Sequence, residues 1–121
     1  MLEAKPLRWI ASSKSDLSAM PAEVRNDVGH ALWVAQIGDR HDDAKILKGF
    51  GGAGVLEILA RHDGDAYRAV CTVRFDDFVY VLHAFQEKSK RGIETPKSEF
   101  DLVKRRLRLA EQDYEKSKGT E

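Results

Sequence analysis

Four side chains of this sequence, Glu57, Arg68, His83 and Lys88, have the types that phosphodiester chemistry can use. An RNA strand can be cut without a metal when its own 2′-hydroxyl attacks the neighbouring phosphate. The step needs a base for that proton, a cation for the charge gathering on phosphorus, and an acid for the departing 5′-oxygen. A guanidinium contacts two phosphate oxygens at once and keeps its charge, so Arg68 suits the cation's place. Glu57 or Lys88 can take a proton if its pKa moves toward neutrality, while His83 can give one without any shift. Phe85 offers a ring on which a base can stack. Plainer readings stand beside these. Arg68 can be one half of an ion pair with Glu57, His83 a hydrogen-bonded packing residue, and Lys104 to Arg108 a solvated helix face.

The elements that must position these groups are three strand-like runs. Val55 to Arg61 leads into the turn His62-Asp63-Gly64-Asp65, Ala66 to Phe75 follows, and the tight pair Asp76-Asp77 leads into Phe78 to Phe85. Short turns between β-branched and aromatic runs predict an antiparallel meander. With Asp76-Asp77 as a two-residue turn, Phe75 faces Phe78 and Arg68 faces Phe85. One face then carries Tyr67, Ala69, Cys71, Val73 and Phe75 with Phe78, Tyr80, Leu82 and Ala84, a core face. The other carries Arg68, Val70, Thr72 and Arg74 with Val79, Val81, His83 and Phe85. The first turn sets Leu59 across from Arg68, which brings Glu57 and Arg61 to that second face. This face is expected to lie open, with both long helices packed on the first. Alanine at Arg68 or Lys88 is therefore expected to leave the fold intact.

Around the meander, Leu7 to Ile10 reads as a short strand and Ser12 to Met20 as a turn of helix. Pro21 opens a helix whose Val24, Val28, Ala31, Leu32 and Ala35 recur at spacings of three and four, and Gly38 closes it. Gly38 to Gly54 reads as a long surface loop; its GFGGAG lacks the Lys-Ser/Thr and the following helix that a phosphate cradle needs. Thr95-Pro96 opens a last helix of about 20 residues, with Phe100, Val103, Leu107, Ala110 and Tyr114 on one stripe and a fraying tail.

At 121 residues, 42% hydrophobic and 33% charged, the chain has room for one folded domain, residues 1–121, and not for a multidomain enzyme. Twenty basic and twenty acidic residues cancel overall. Locally they do not: from Lys88 to Arg108, eight basic side chains meet only Glu94, Glu99 and Asp101. A single cysteine, Cys71, cannot form an intramolecular disulfide, and no signal peptide or apolar span is legible, so a cytoplasmic protein with no membrane partner is expected. The four histidines are scattered, and no metal or cofactor is expected.

The order of elements, the Gly-rich approach to Val55-Leu56-Glu57-Ile58, the pair Tyr67-Arg68, the run His83-Ala84-Phe85-Gln86-Glu87-Lys88-Ser89 and the Thr95-Pro96 helix start resemble the HigB-like branch of the RelE/ParE toxin superfamily. The likeness runs from Lys45 to Arg108. It implies an α+β, RelE-like domain: a twisted, mainly antiparallel sheet with helices on one face and a C-terminal helix. It further implies the toxin of a type II toxin–antitoxin pair, an endoribonuclease that cuts mRNA on the ribosome and is silenced by a helix-turn-helix antitoxin. The family's arginine on the middle strand maps onto Arg68, its basic residue after the last strand onto Lys88, and its variable histidine onto His83; the register adds Glu57 to this catalytic set, and Lys48, Arg61, Arg74, Phe85, Lys90 and Arg91 are the candidate RNA-binding positions. Glu87 departs from the pattern where close relatives often place lysine. ParE-like members, which inhibit DNA gyrase by binding and cut no RNA, give the alternative reading.

Overall fold

The computed structural model describes residues 3–52, 54–87 and 95–119. Its centre is the meander that the sequence predicts: β3 (Val55–His62), β4 (Asp65–Thr72) and β5 (Val79–Gln86). The β3–β4 turn is tight, because Asp63 (φ 52°) and Gly64 (φ 84°) both sit in the left-handed region that a type I′ turn demands. Leu59 faces Arg68 and Arg68 faces Phe85, as the spacing predicts.

Two parts of the expected register do not hold. Thr72 is the last residue of β4 and Val79 the first of β5, so residues 73–78 form a six-residue connection in place of the two-residue turn. A bulge then shifts the pairing between Val70 and Cys71: Val70 faces His83, but Cys71 faces Val81 and Thr72 faces Tyr80. Leu82 is the extra residue, and the half of β5 before it is turned over relative to expectation. Val79 and Val81 consequently share a face with Cys71, while Tyr80 and Leu82 point the other way.

Two more strands complete a five-stranded sheet in the order β1-β5-β4-β3-β2. β1 (Leu7–Trp9) runs parallel to β5, and β2 (Ala44–Ile46) pairs antiparallel with β3 inside the segment expected to be loop. Three residues are too few to show a period in the sequence. After β2 the chain turns at Gly49 (φ 101°), where a Cβ would meet the Phe100 ring at 2.6 Å.

Helices cover both faces. α1 (Ser13–Ser18) and α2 (Ala22–Gln36) bury Leu17, Val24, Val28 and Leu32 against Leu56, Ile58, Ala69, Cys71 and Val81. α3 (Lys97–Gly119) buries Val103, Leu107 and Ala110 against Val55, Val70, Tyr80 and Leu82. The expectation of an open second face is thus corrected. Val55, Val70 and the bulge-reversed Tyr80 and Leu82 make that face apolar too, and each such side chain withdrawn from water stabilises the packed helix by roughly 1.5–3 kcal/mol. α3 also runs on through Gly119, without the frayed tail expected there. Among the described residues no helix is long and apolar enough to cross a membrane.

A candidate site on the covered face

The register delivers Glu57, Arg68 and His83 to one face, and α3 closes over it. Arg68 sits mid-strand with its side chain 7% exposed. Its outer nitrogens donate to Glu57 Oε1 and to Glu87 Oε1, each at 2.6 Å, so two acidic side chains share one guanidinium. Glu57 Oε2 accepts a further hydrogen bond from the Thr95 hydroxyl. The hydroxyl expected to cap α3 is used instead to tie the start of that helix to β3. Arg68 Nε is buried with no partner among the described residues. A phosphate meets a guanidinium so enclosed only by entering a space now closed by its two carboxylates.

His83 occupies a second, adjoining network. Its Nε2 lies 3.2 Å from Glu99 Oε1 and its Nδ1 3.3 Å from an Arg106 nitrogen. Arg106 has no lone pair to offer, so Nδ1 accepts and the neutral ring carries its proton on Nε2, donating to Glu99. Burial pushes the imidazole below its ordinary pKa, against the opposing pull of Glu99. His83 is therefore neutral near pH 7. That state suits taking a proton better than giving one. Arg106 reaches on to the Leu82 carbonyl at 3.0 Å and to the Ser12 hydroxyl at 3.1 Å, and Ser12 donates to Asp16 at 2.8 Å. The chain of contacts joins α3, β5 and the start of α1.

Glu99 was not singled out from the sequence, and the reading of Lys104 to Arg108 as a solvated face fails at Arg106, which reaches inward to His83 and the Leu82 carbonyl. The signal was present, since both fall at helical spacing from Val103 and Ala110 on the stripe that packs inward. Polar residues interrupting an apolar stripe mark a buried polar contact.

The remaining expected positions divide. Phe85 is buried and stacked on the His83 ring, centroids 4.9 Å apart, so that face of its ring is already covered. Lys48 and Arg61 are exposed. Arg74, beyond the end of β4, donates to the Phe50 carbonyl at 2.7 Å and lies 3.7 Å from Glu111. Lys88, Lys90 and Arg91 lie outside the described residues, between Glu87 and Thr95. Among the described residues no three of His, Cys, Asp and Glu are grouped to hold a metal ion.

A search of curated proteins returns no match to the chain. A family model does match, that of the phage-derived protein Gp49-like family (DUF891), over residues 15–108. That span takes in α2, the whole meander and the first half of α3, and with them every residue of the Glu57–Arg68–Glu87 and Glu99–His83–Arg106 networks. The chain therefore belongs to the Gp49-like family of phage-derived proteins, a family associated with RelE-like toxins.

Proposed function

We propose that this chain is the toxin of a type II toxin–antitoxin pair, HigB-like within the RelE/ParE superfamily, and that it is a metal-independent endoribonuclease acting on mRNA at the ribosome. The observation that carries the reading is the strand register, which gathers Glu57, Arg68 and Glu87 beside His83, Glu99 and Arg106 on one face. In the proposed reaction the 2′-hydroxyl loses its proton to a base and attacks the adjacent phosphorus. The bond to the 5′-oxygen breaks, that oxygen takes up a proton, and the products are a 2′,3′-cyclic phosphate and a 5′-hydroxyl end. Arg68 meets the phosphate by exchanging a carboxylate for it, one anion for another. Neutral His83 takes part in proton transfer once Arg106 or Glu99 releases a ring nitrogen. Lys88 supplies a further cation or proton carrier.

One observation favours a second reading, a ParE-like toxin that inhibits DNA gyrase by binding alone. Both outer nitrogens of Arg68 and both ring nitrogens of His83 are engaged within the protein, and a binding-only toxin needs none of them released. Inducing the chain in bacteria and mapping new 5′ ends in mRNA separates the two. Growth arrest with new 5′-hydroxyl ends in translated messages supports the nuclease. Arrest with intact mRNA supports the second reading, and the absence of both arrest and binding to a helix-turn-helix antitoxin overturns the toxin assignment.

A further inference from the structure

A groove of about 800 Å³ lies between the 73–78 connection and the last turns of α3, away from the Arg68 and His83 networks; Phe75, Glu111, Tyr114, Glu115, Lys118 and Gly119 line it. The rings of Phe75 and Tyr114 stand 4.8 Å apart at 41° and give it an aromatic wall. Its rim is acidic. Glu111 is loosely engaged by Arg74 at 3.7 Å, Glu115 is exposed with no ion pair among the described residues, and Asp77 takes the Tyr114 hydroxyl at 3.1 Å.

The protein already places its own cations against the rings at this end. Arg8 lies 3.9 Å over the Phe78 ring while its guanidinium holds Asp113 at 2.6 Å, and Lys118 lies 5.0 Å over Tyr114. Each contact pairs a ring face with a nearby carboxylate. Lys118 is held in its charged form above its ordinary pKa, first by the Tyr114 phenol and then by Asp77 and Asp76. Phe75, Glu111 and Glu115 offer the same pairing of ring and carboxylate along the groove.

We propose that this groove docks a basic segment of a partner protein, an arginine side chain taking the place of Lys118 over Tyr114 with its guanidinium met by Glu111 and Glu115. Arginine fits better than lysine, because a planar guanidinium stacks on a ring and presents paired donors to a carboxylate. The surface is separate from the candidate nuclease site, and the proposal stands or falls independently of RNA cleavage.

Titrating the ¹⁵N-labelled full chain with a capped peptide of alternating Gly and Arg, followed by NMR, tests it. The expected result is saturable shifts centred on the amides of Phe75, Tyr114 and Glu115, and none with the same peptide carrying citrulline. Tyr114→Leu should weaken binding about threefold through the lost ring contact. Glu111→Gln with Glu115→Gln should weaken it about tenfold through two charge-assisted contacts. Both residues are on the helix surface, and an unchanged pattern of amide peaks verifies that each variant is folded. Shifts centred elsewhere, equal shifts with citrulline, no shifts at all, or spermidine moving the same amides with equal affinity would each overturn the proposal.

Discussion

Arg68→Ala removes a cation that is enclosed by the protein, and its cost follows from what is left behind. The Glu57 and Glu87 side chains are 13% and 9% exposed, so both carboxylates lose their counter-charge without gaining water. Removing one member of a buried pair costs about 3–5 kcal/mol, most of it the uncompensated charge. For a chain of this length each kcal/mol lowers the melting temperature by roughly 3–5 °C, so a fall of about 9–25 °C is expected. Thermal unfolding followed by circular dichroism measures the fall, and urea unfolding the free energy. The companion variant Arg68→Met with Glu57→Gln and Glu87→Gln should recover much of the loss, because it removes charge and counter-charge together. A loss below about 1 kcal/mol for Arg68→Ala alone would refute the account of a buried, shared guanidinium. The expectation that alanine here leaves the fold intact thus gives way: an inactive Arg68→Ala would not separate lost catalysis from lost structure, whereas a folded Arg68→Lys would.

Further outcomes follow from the same networks. The His83 pKa is held below its ordinary value, so the folded state binds this proton less readily than the unfolded chain. That contribution to stability is whole above the unfolded pKa of about 6.5 and is lost as pH falls from there toward the folded value. Glu99→Gln removes the group that opposes the shift and should lower the His83 pKa further, which an NMR titration of the ring reads directly; a rise would contradict the assignment. Cys71 is fully buried and its thiol is pushed up to about 12, so a thiol reagent at pH 8 should react only at the rate of unfolding, and rapid labelling of native protein would show the core face wrongly placed. Leu82→Ala should cost about 2–5 kcal/mol by opening a cavity under α3, measured by urea unfolding, whereas a near-neutral change would deny that Leu82 is packed there.

Much of this was legible in the sequence, and the limits have physical reasons. The meander, the facing of Leu59 and Arg68, and the buried stripes of α2 and α3 follow from a short turn and clear periods, while Arg68 faces Phe85 as expected only because the bulge restores an offset that the longer 73–78 connection had shifted by one. The bulge does not, because Val79 to Phe85 carries apolar or aromatic side chains on both faces and alternation cannot reveal an inserted residue there. Missing it put Tyr80 and Leu82 on the wrong side and left one face apparently open. The place of α3 followed from that error, as did the expectation that Arg68 and His83 face solvent. Glu57 with Arg68 was foreseeable from cross-strand register alone. Glu87 was legible in the same register, two residues beyond Phe85 on the Arg68 face, whereas Thr95 was not, since its meeting with Glu57 depends on where α3 begins relative to the sheet.

The proposed activity is tested most directly by purified protein acting on mRNA held by programmed ribosomes, in the presence of a chelator, with the ends of the cleaved strands mapped. The account predicts cleavage that the chelator leaves unchanged, giving 2′,3′-cyclic phosphate and 5′-hydroxyl ends, and its loss in a folded Arg68→Lys variant, because an ammonium cannot make the bidentate phosphate contact. Intact mRNA with folded wild-type protein would contradict the nuclease reading, and cleavage at the full rate by Arg68→Lys would contradict the part given to Arg68.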